Sequence, residues 1–372
     1  MNKTFFNLIQ EIQKTGKCHH CGGCVSFCSA INYGALELDE TGKPRFGEIE
    51  KCVECGLCYS ICPETDELDK EIKEKSGWQA PYGKMIATSV SKARDEKIRK
   101  KGTDGGVVTA ILTWLFDLGR IDGAIVSKNT DQGRVPFLAT SPQDLIQSAG
   151  SCFNNSHGMI QLANNYDTFS PSIEALGRLR SKGIQRLAFV GTPCQINTIR
   201  KMQAMDIVPA DAISYCFGLF CSGNFMFDTH AFKKIESHYQ FRYADVKKIN
   251  IKENFIFTLF KDKSIEIPVN QLDDVTREAC RYCRDFSAEF ADISFGGLGA
   301  EQGWTTAITR TPVGQEIIAG ALGSVLDGWP YKKGEKTITS AEKKVNQACA
   351  GKIRKSEQFI EDTSVGNIRI VS

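Results

Sequence analysis

Two cysteine runs of identical spacing constrain this chain more than anything else in it. KCHHCGGCVSFCSA sets Cys18, Cys21, Cys24 and Cys28 in C-x2-C-x2-C-x3-C order, and KCVECGLCYSICPET repeats the order with Cys52, Cys55, Cys58 and Cys62. A structural zinc ion takes two ligands from each of two separate turns. Three thiolates within seven residues suit a 4Fe-4S cubane instead, because one tight arc reaches three irons and a remote cysteine reaches the fourth. Gly22, Gly23 and Gly56 let such an arc curl closely.

In chains that carry two cubanes on this spacing, the fourth cysteine of each run serves the other cluster. The expected ligand sets are Cys18, Cys21, Cys24 and Cys62 for one, and Cys52, Cys55, Cys58 and Cys28 for the other. Residues 1–75 therefore read as a small two-cluster ferredoxin domain of the bacterial type. Ser29 stands where Pro63 follows the second run, and His19 and His20 are expected to be exposed or to touch sulfur, since every iron position is filled.

The rest of the composition narrows the class. Fifteen cysteines, an odd number, in a 372-residue chain whose start lacks a secretory signal point to metal and redox work, not to a disulfide scaffold. The expected compartment is the cytoplasm, free or docked on the cytoplasmic face of a membrane complex. No run approaches the ~18 apolar residues of a membrane span, so no direct membrane insertion is expected. A formal charge of +2 predicts no nucleic-acid partner, and the basic stretch Lys92 to Lys101 is interrupted by Asp95 and Glu96.

Residues 63 to 84 turn polar and read as a linker. From Met85 short apolar runs alternate with helical segments and glycine turns, the pattern of an α/β or α+β core with a mixed sheet. IDGAIVSK (121–128), QRLAFVGT (185–192), DAISYCFGLF (211–220), ADISFGG (291–297) and WTTAITR (304–310) read as strands. VVTAILTWLFDLGR (107–120) reads as a helix ending at Gly119, and KKINIKENFIFTLFKDKSIEIPV as a β-hairpin. The expected organisation is 1–75, a core over 76–330, and a lysine-rich extension over 331–372, helical or irregular.

Two turns in the core carry chemistry. KGTDGGVVTAIL brings Thr103, Asp104, Gly105 and Gly106 to a helix start, where backbone N–H groups favour a phosphate; Thr103 and Asp104 could equally be plain N-caps. FVGTPCQINTIRKM sets Cys194 at the mouth of a helix, a position that lowers a thiol pKa, but no histidine is near in sequence to make it a nucleophile. Cys194, Cys221 and the pair Cys280 and Cys283 could close a third metal site. Spacing alone leaves zinc and a cubane equally open there. Cys152, Cys216 and Cys349 have no motif partners and read as buried thiols.

The succession TDGGVVTAIL, IDGAIV, AGSCFNNS, FVGTPCQ, GLFCSGNF, CRYCRDF and ADISFGGLG resembles the family of beta subunits of coenzyme F420 hydrogenases and dehydrogenases, from Met85 to about residue 320. The fused amino-terminal module and GLGAEQGWTTAITRT make it most similar, within that family, to the electron-input subunit of the archaeal F420H2 dehydrogenase. The resemblance implies a flavoprotein core that binds FAD, takes coenzyme F420 as substrate, and holds a third 4Fe-4S cluster on Cys194, Cys221, Cys280 and Cys283.

It further implies that Thr103, Asp104, Gly105 and Gly106 meet the FAD phosphates. Ser151, Asn154, Asn155 and Ser156 would line the flavin pocket, and Thr192, Pro193, Gly296, Gly297 and Gly299 would approach the isoalloxazine or the incoming deazaflavin. Hydride passes between cofactors, so no catalytic acid or base is expected. Electrons would leave singly through the clusters to a redox partner protein: a dehydrogenase complex, another reductase or a ferredoxin. Arg277, Arg281, Arg284 and Arg310 are candidates for the acidic tail of the deazaflavin. The rival expectations are a beta-type subunit of another complex, such as a formate dehydrogenase, and a relay without coenzyme F420 activity.

Overall fold

A computed structural model describes residues 3–30, 33–130, 133–150, 184–207, 210–227, 230–260 and 263–370. The amino-terminal module opens with helical turns from Phe5, then runs through α1 (Gly23–Ala30) and a small antiparallel pair, β1 (Leu36–Leu38) and β2 (Pro44–Phe46), to α2 (Leu57–Ser60). The two cysteine arcs share one backbone shape. His20 and Gly22 in the first, and Glu54 and Gly56 in the second, all take positive φ, which is what bends each arc around its own interior.

Ser29 has a structural consequence. It lies exposed inside α1, which continues to Ala30, whereas α2 stops at Ser60 ahead of Pro63. A proline at position 29 would remove a helix donor and clash with the preceding turn.

The expected linker contains a helix. α3 (Asp69–Ser76) closes on Gly77 in the left-handed region and buries Ile72. The core then supplies β3 (Ala87–Ala93), α4 (Val107–Asp117), β4 (Gly123–Thr130), β5 (Gly133–Ala139), β6 (Leu187–Gly191), α5 (Pro193–Ala204) and β7 (Ile213–Leu219). Residues 246 to 268 form a three-stranded antiparallel meander instead of the expected hairpin: β8 (Val246–Ile251), β9 (Asn254–Leu259) and β10 (Ser264–Pro268). The third strand exists because Ile265 and Ile267 alternate with Glu266 and close an aromatic cluster around Phe225, Phe255 and Phe257.

There follow α6 (Glu278–Tyr282), β11 (Ile293–Gly296), β12 (Thr305–Thr309), α7 (Pro312–Ser324), β13 (Leu326–Gly328) and a single long helix, α8 (Tyr331–Ile370). The central sheet runs in the order β13-β3-β12-β11-β7-β6-β4-β5. It is mixed: β4, β6, β7 and β11 pair in parallel, while both flanks are antiparallel. The central strands are apolar on both faces because both faces are covered. Ala124, Val126, Ala188 and Phe217 point to a core closed by α4 and α7, and Ile125, Leu187, Phe189 and Cys216 to a core closed by α5.

That second core also contains Phe27 and Ile61 of the amino-terminal module and Ile72 of α3, packed with Ile196, Ile199 and Met202 of α5. The module is thus built into the core, not strung beside it. Gly23 marks the closest approach: a Cβ there would lie 2.5 Å from the Thr198 methyl.

Candidate metal centres

The twelve motif cysteines sort into three cavities. Cys18, Cys21, Cys24 and Cys62 line the first; Cys52, Cys55, Cys58 and Cys28 line the second; Cys194, Cys221, Cys280 and Cys283 line the third. Cys28 and Cys62 therefore cross over, each facing the arc of the other run. The empty volumes are alike, about 450, 380 and 400 Å³. Among the described residues, no three His, Cys, Asp or Glu side chains converge so as to hold a single ion; the sulfurs ring a space.

Neighbouring cavities share walls. Cys21 and His19 border both the third and the first, and Cys58 and Phe5 border both the first and the second. The result is a row running from the core outward. At its outer end Cys55 is exposed, while the other described cysteines are buried or half-buried.

The inner end is strongly polar. His19 is buried, and its Nε2 lies 2.6 Å from the Glu64 carboxylate. Burial opposes charge on this imidazole, but Glu64 and the Cys280 sulfur raise its pKa to about 9. His19 is thus the sulfur-contacting histidine of the two alternatives, whereas burial and Arg277 bring His20 down to about 4. Arg277, buried, donates to the His19 carbonyl, and the Asn224 N–H points at the Cys280 sulfur at 3.3 Å.

From α8, the Lys352 ammonium donates to the Cys221 carbonyl at 2.7 Å and the Asp285 carbonyl at 2.9 Å. Burial works against its charge, yet the facing sulfurs of Cys283, Cys221 and Cys280 hold its pKa above the usual lysine value. Lys201 of α5, fully buried, donates to the Cys62 and Thr65 carbonyls at 3.0 and 2.6 Å and pairs with Asp69 at 2.9 Å.

Burial dominates the thiols themselves. It lifts Cys18 to about 11 and Cys283 to about 12, and it holds Cys24, Cys62 and Cys194 well above the ordinary range. For Cys194 this reverses the expectation from its helix-mouth position: desolvation and the neighbouring Cys21 and Cys283 outweigh the helix. Cys280 is the exception. Burial would raise it, but Arg277 and His19 bring it down to about 6. Cys216 and Cys349 are buried thiols as expected, and Cys152 lies outside the described residues.

The residues expected around the flavin do not share one described cavity. Thr192 and Pro193 line the third cysteine cavity, where the Thr192 hydroxyl lies 3.3 Å from the Cys194 sulfur. Ser151, Asn154, Asn155 and Ser156 lie outside the described residues. Gly106, at positive φ, is the N-cap of α4 and no side chain caps that helix, so Thr103 and Asp104 are not N-caps. The uncapped start fits an anion such as a phosphate in its donor chemistry.

Asp104 does not suit one. Its carboxylate accepts from the Asn250 amide at 3.1 Å and fills the space a Cβ on Gly297 would need, tying β8 to the core. Gly296 and Gly299 lie equally close to the chain itself, against Phe220 and Ala341.

The four arginines offered for an acidic ligand are engaged within the protein. Arg310 is buried, donating to Ser294, Ser287 and the Tyr82 and Lys84 carbonyls. Arg277 serves His19, Arg281 reaches the Asp273 carbonyl, and Arg284 pairs with Glu357 of α8.

Comparison with known proteins supports the two-cluster reading of the amino-terminal module. Residues 10–63 match the 4Fe-4S dicluster domain, 88–162 the amino-terminal model of the coenzyme F420 hydrogenase/dehydrogenase beta subunit, and 184–326 its carboxy-terminal model. The chain belongs to the family of coenzyme F420 hydrogenase/dehydrogenase beta subunits. Within this family it is 30% identical over 83% of its length to coenzyme F420-dependent sulfite reductase of Methanocaldococcus jannaschii, of which it spans 46%.

It is 26% identical to a subunit of the F(420)H(2) dehydrogenase of Methanosarcina mazei, over 83% of each chain. A chain of the F420-reducing [NiFe] hydrogenase complex from Methanosarcina barkeri superposes with a TM-score of 0.64 at 26% identity, covering 77% of this chain and 94% of that one. Among the described residues no helix is long and apolar enough to cross a membrane.

Proposed function

We propose that the protein oxidises reduced coenzyme F420 by hydride transfer to FAD and passes single electrons through three 4Fe-4S sites to a redox partner protein. The proposed layout is a two-cluster module over 1–75, a flavin and third-cluster core over 76–330, and an extension over 331–372. The observation that carries this reading is the row of three like-sized, cysteine-ringed cavities with shared walls. Cys194, Cys221, Cys280 and Cys283 line one cavity as the motif cysteines line the other two, which supports a cubane there as well.

When bound, FAD accepts two electrons as hydride and gives them up singly, and the cubanes carry them one at a time. The protein's part is binding and placement. Twelve thiols, most held protonated by burial in the metal-free chain, surrender protons as they ligate, so loading favours higher pH. The uncapped start of α4 offers N–H groups to a phosphate. Cys21 and His19 fill the wall between the core cavity and the amino-terminal module, excluding water from the shortest path. No side chain is assigned as acid or base.

The test is anaerobic turnover with a viologen acceptor, supplying reduced coenzyme F420 and NADPH separately. Activity with reduced coenzyme F420 and about twelve irons per chain is expected. Turnover with NADPH alone would sink the substrate assignment, and full iron without flavin would make the chain a relay.

A further inference from the structure

We propose that Lys352 of α8 is a positioning residue for the third cysteine site, where its fixed positive charge raises the reduction potential of the cluster. The proposal rests on reading that cavity as a 4Fe-4S site. It concerns a helix beyond the segments that match the family models, which end at residue 326.

The buried strip of α8 begins apolar, with Ala341, Val345 and Cys349, and then becomes Lys352 and Ser356. These positions recur at three- and four-residue intervals and so form one face. Polar groups on a buried face are costly unless bonded, and both are bonded to backbone around the third cavity. Lys352 holds the carbonyls of Cys221 and Asp285, and the Ser356 hydroxyl donates to the Tyr282 carbonyl at 2.7 Å. The helix therefore braces the loop of Cys221, the turn between Cys280 and Cys283, and the segment after Cys283.

Lys352 is 9% exposed and lines the cavity itself. A cubane on four thiolates carries net negative charge and gains one more on reduction, in a site where screening is weak. A cation fixed in the wall favours the reduced form. A structural brace alone would need the hydrogen bonds but not the charge, and this separates the two roles.

The experiment is an anaerobic redox titration of the full chain, followed by electron paramagnetic resonance, for wild type, K352Q and K352R. K352Q is expected to move one of three transitions to lower potential and leave two in place, while K352R keeps all three at their wild-type positions. Loss of one cluster in K352Q with its retention in K352R equally supports a requirement for charge. An unmoved midpoint in K352Q at full iron content overturns the proposal, as does loss of the same four irons in both variants. Wild-type protein with about eight irons would instead remove the third cluster, and the proposal with it.

Discussion

The inner and outer ends of the cysteine row solve the same problem by opposite means. The inner cavity is walled by His19, Arg277 and Lys352, whereas the described lining of the outer one is apolar, with Phe5, Phe27, Tyr33, Leu36 and Val53, and its charged member is Glu54. Four thiolates around a cubane leave a net negative charge that must be solvated by something. A cubane at the proposed inner site would meet fixed cations in place of water. At the outer end the exposure of Cys55 leaves the job to solvent and to backbone N–H groups on the arc. One end is therefore lined by fixed positive charge, and the other is apolar with one exposed ligand.

The largest effect should come from removing one ligand at each end. C283A and C55A are each expected to lose about four irons. C283A should abolish electron flow from reduced coenzyme F420 to a viologen if, as proposed, the inner site is the first to take electrons from the flavin. C55A should retain it, because the inner sites still deliver electrons. Equal loss in both would mean that the row has no inner and outer end.

A second test strikes the weld between module and core. K201M leaves the Cys62 and Thr65 carbonyls without their buried donor and removes the pair to the exposed Asp69 carboxylate, a change that costs about 1–3 kcal/mol for each acceptor left unsatisfied. Thermal denaturation should show a marked loss of stability, and the amino-terminal iron should be released together with it. Release of the module while the core melts as before would show that the shared core of Phe27, Ile61 and Ile199 contributes little. Air exposure offers a gentler comparison: the outer cluster signal should decay before the inner one, and the reverse order would contradict the exposure of Cys55.

Much of this was legible in the residues. The crossing of Cys28 and Cys62 follows from the C-x3-C interval, which carries the fourth cysteine a helical turn away from its own arc. The central strands were legible because LAFVG and ISYCFGL are continuous apolar runs. What escaped were features whose partners are distant. Phe27 and Ile61 look like the private core of a small module and give no sign that α5 completes it. Lys352 is one lysine among many in a polar segment, and only the steps of three and four residues from Cys349 to Ser356 hint that it faces inward. Arg310 reads as a surface ligand for an acidic tail because nothing local announces its buried partners. The expected hairpin gains a third strand because Ile265 and Ile267 close a cluster whose Phe225 is distant in sequence.

The smallest predicted effect concerns the supports of the inner end. Glu289 accepts from the Trp78 indole at 2.6 Å, and burial together with the Asp285 carboxylate raises its pKa to about 8, from an ordinary value of 4.5. Between those two values the unfolded chain releases this proton while the folded chain keeps it. The folded state then binds more protons, so this group's stabilising contribution is complete below pH 4.5, declines as pH rises toward 8, and stays absent above it. E289Q keeps an acceptor for Trp78 and has no proton to lose. It should melt higher than wild type at pH 8, by at least several degrees, and match it below pH 4.5. The outer end has no described buried carboxyl of this kind, so the same pH rise should leave its cluster signal unchanged while the inner end loosens. A pH-independent difference between E289Q and wild type would place the effect in packing against Trp78, and the inner end would then owe its order to shape more than to charge.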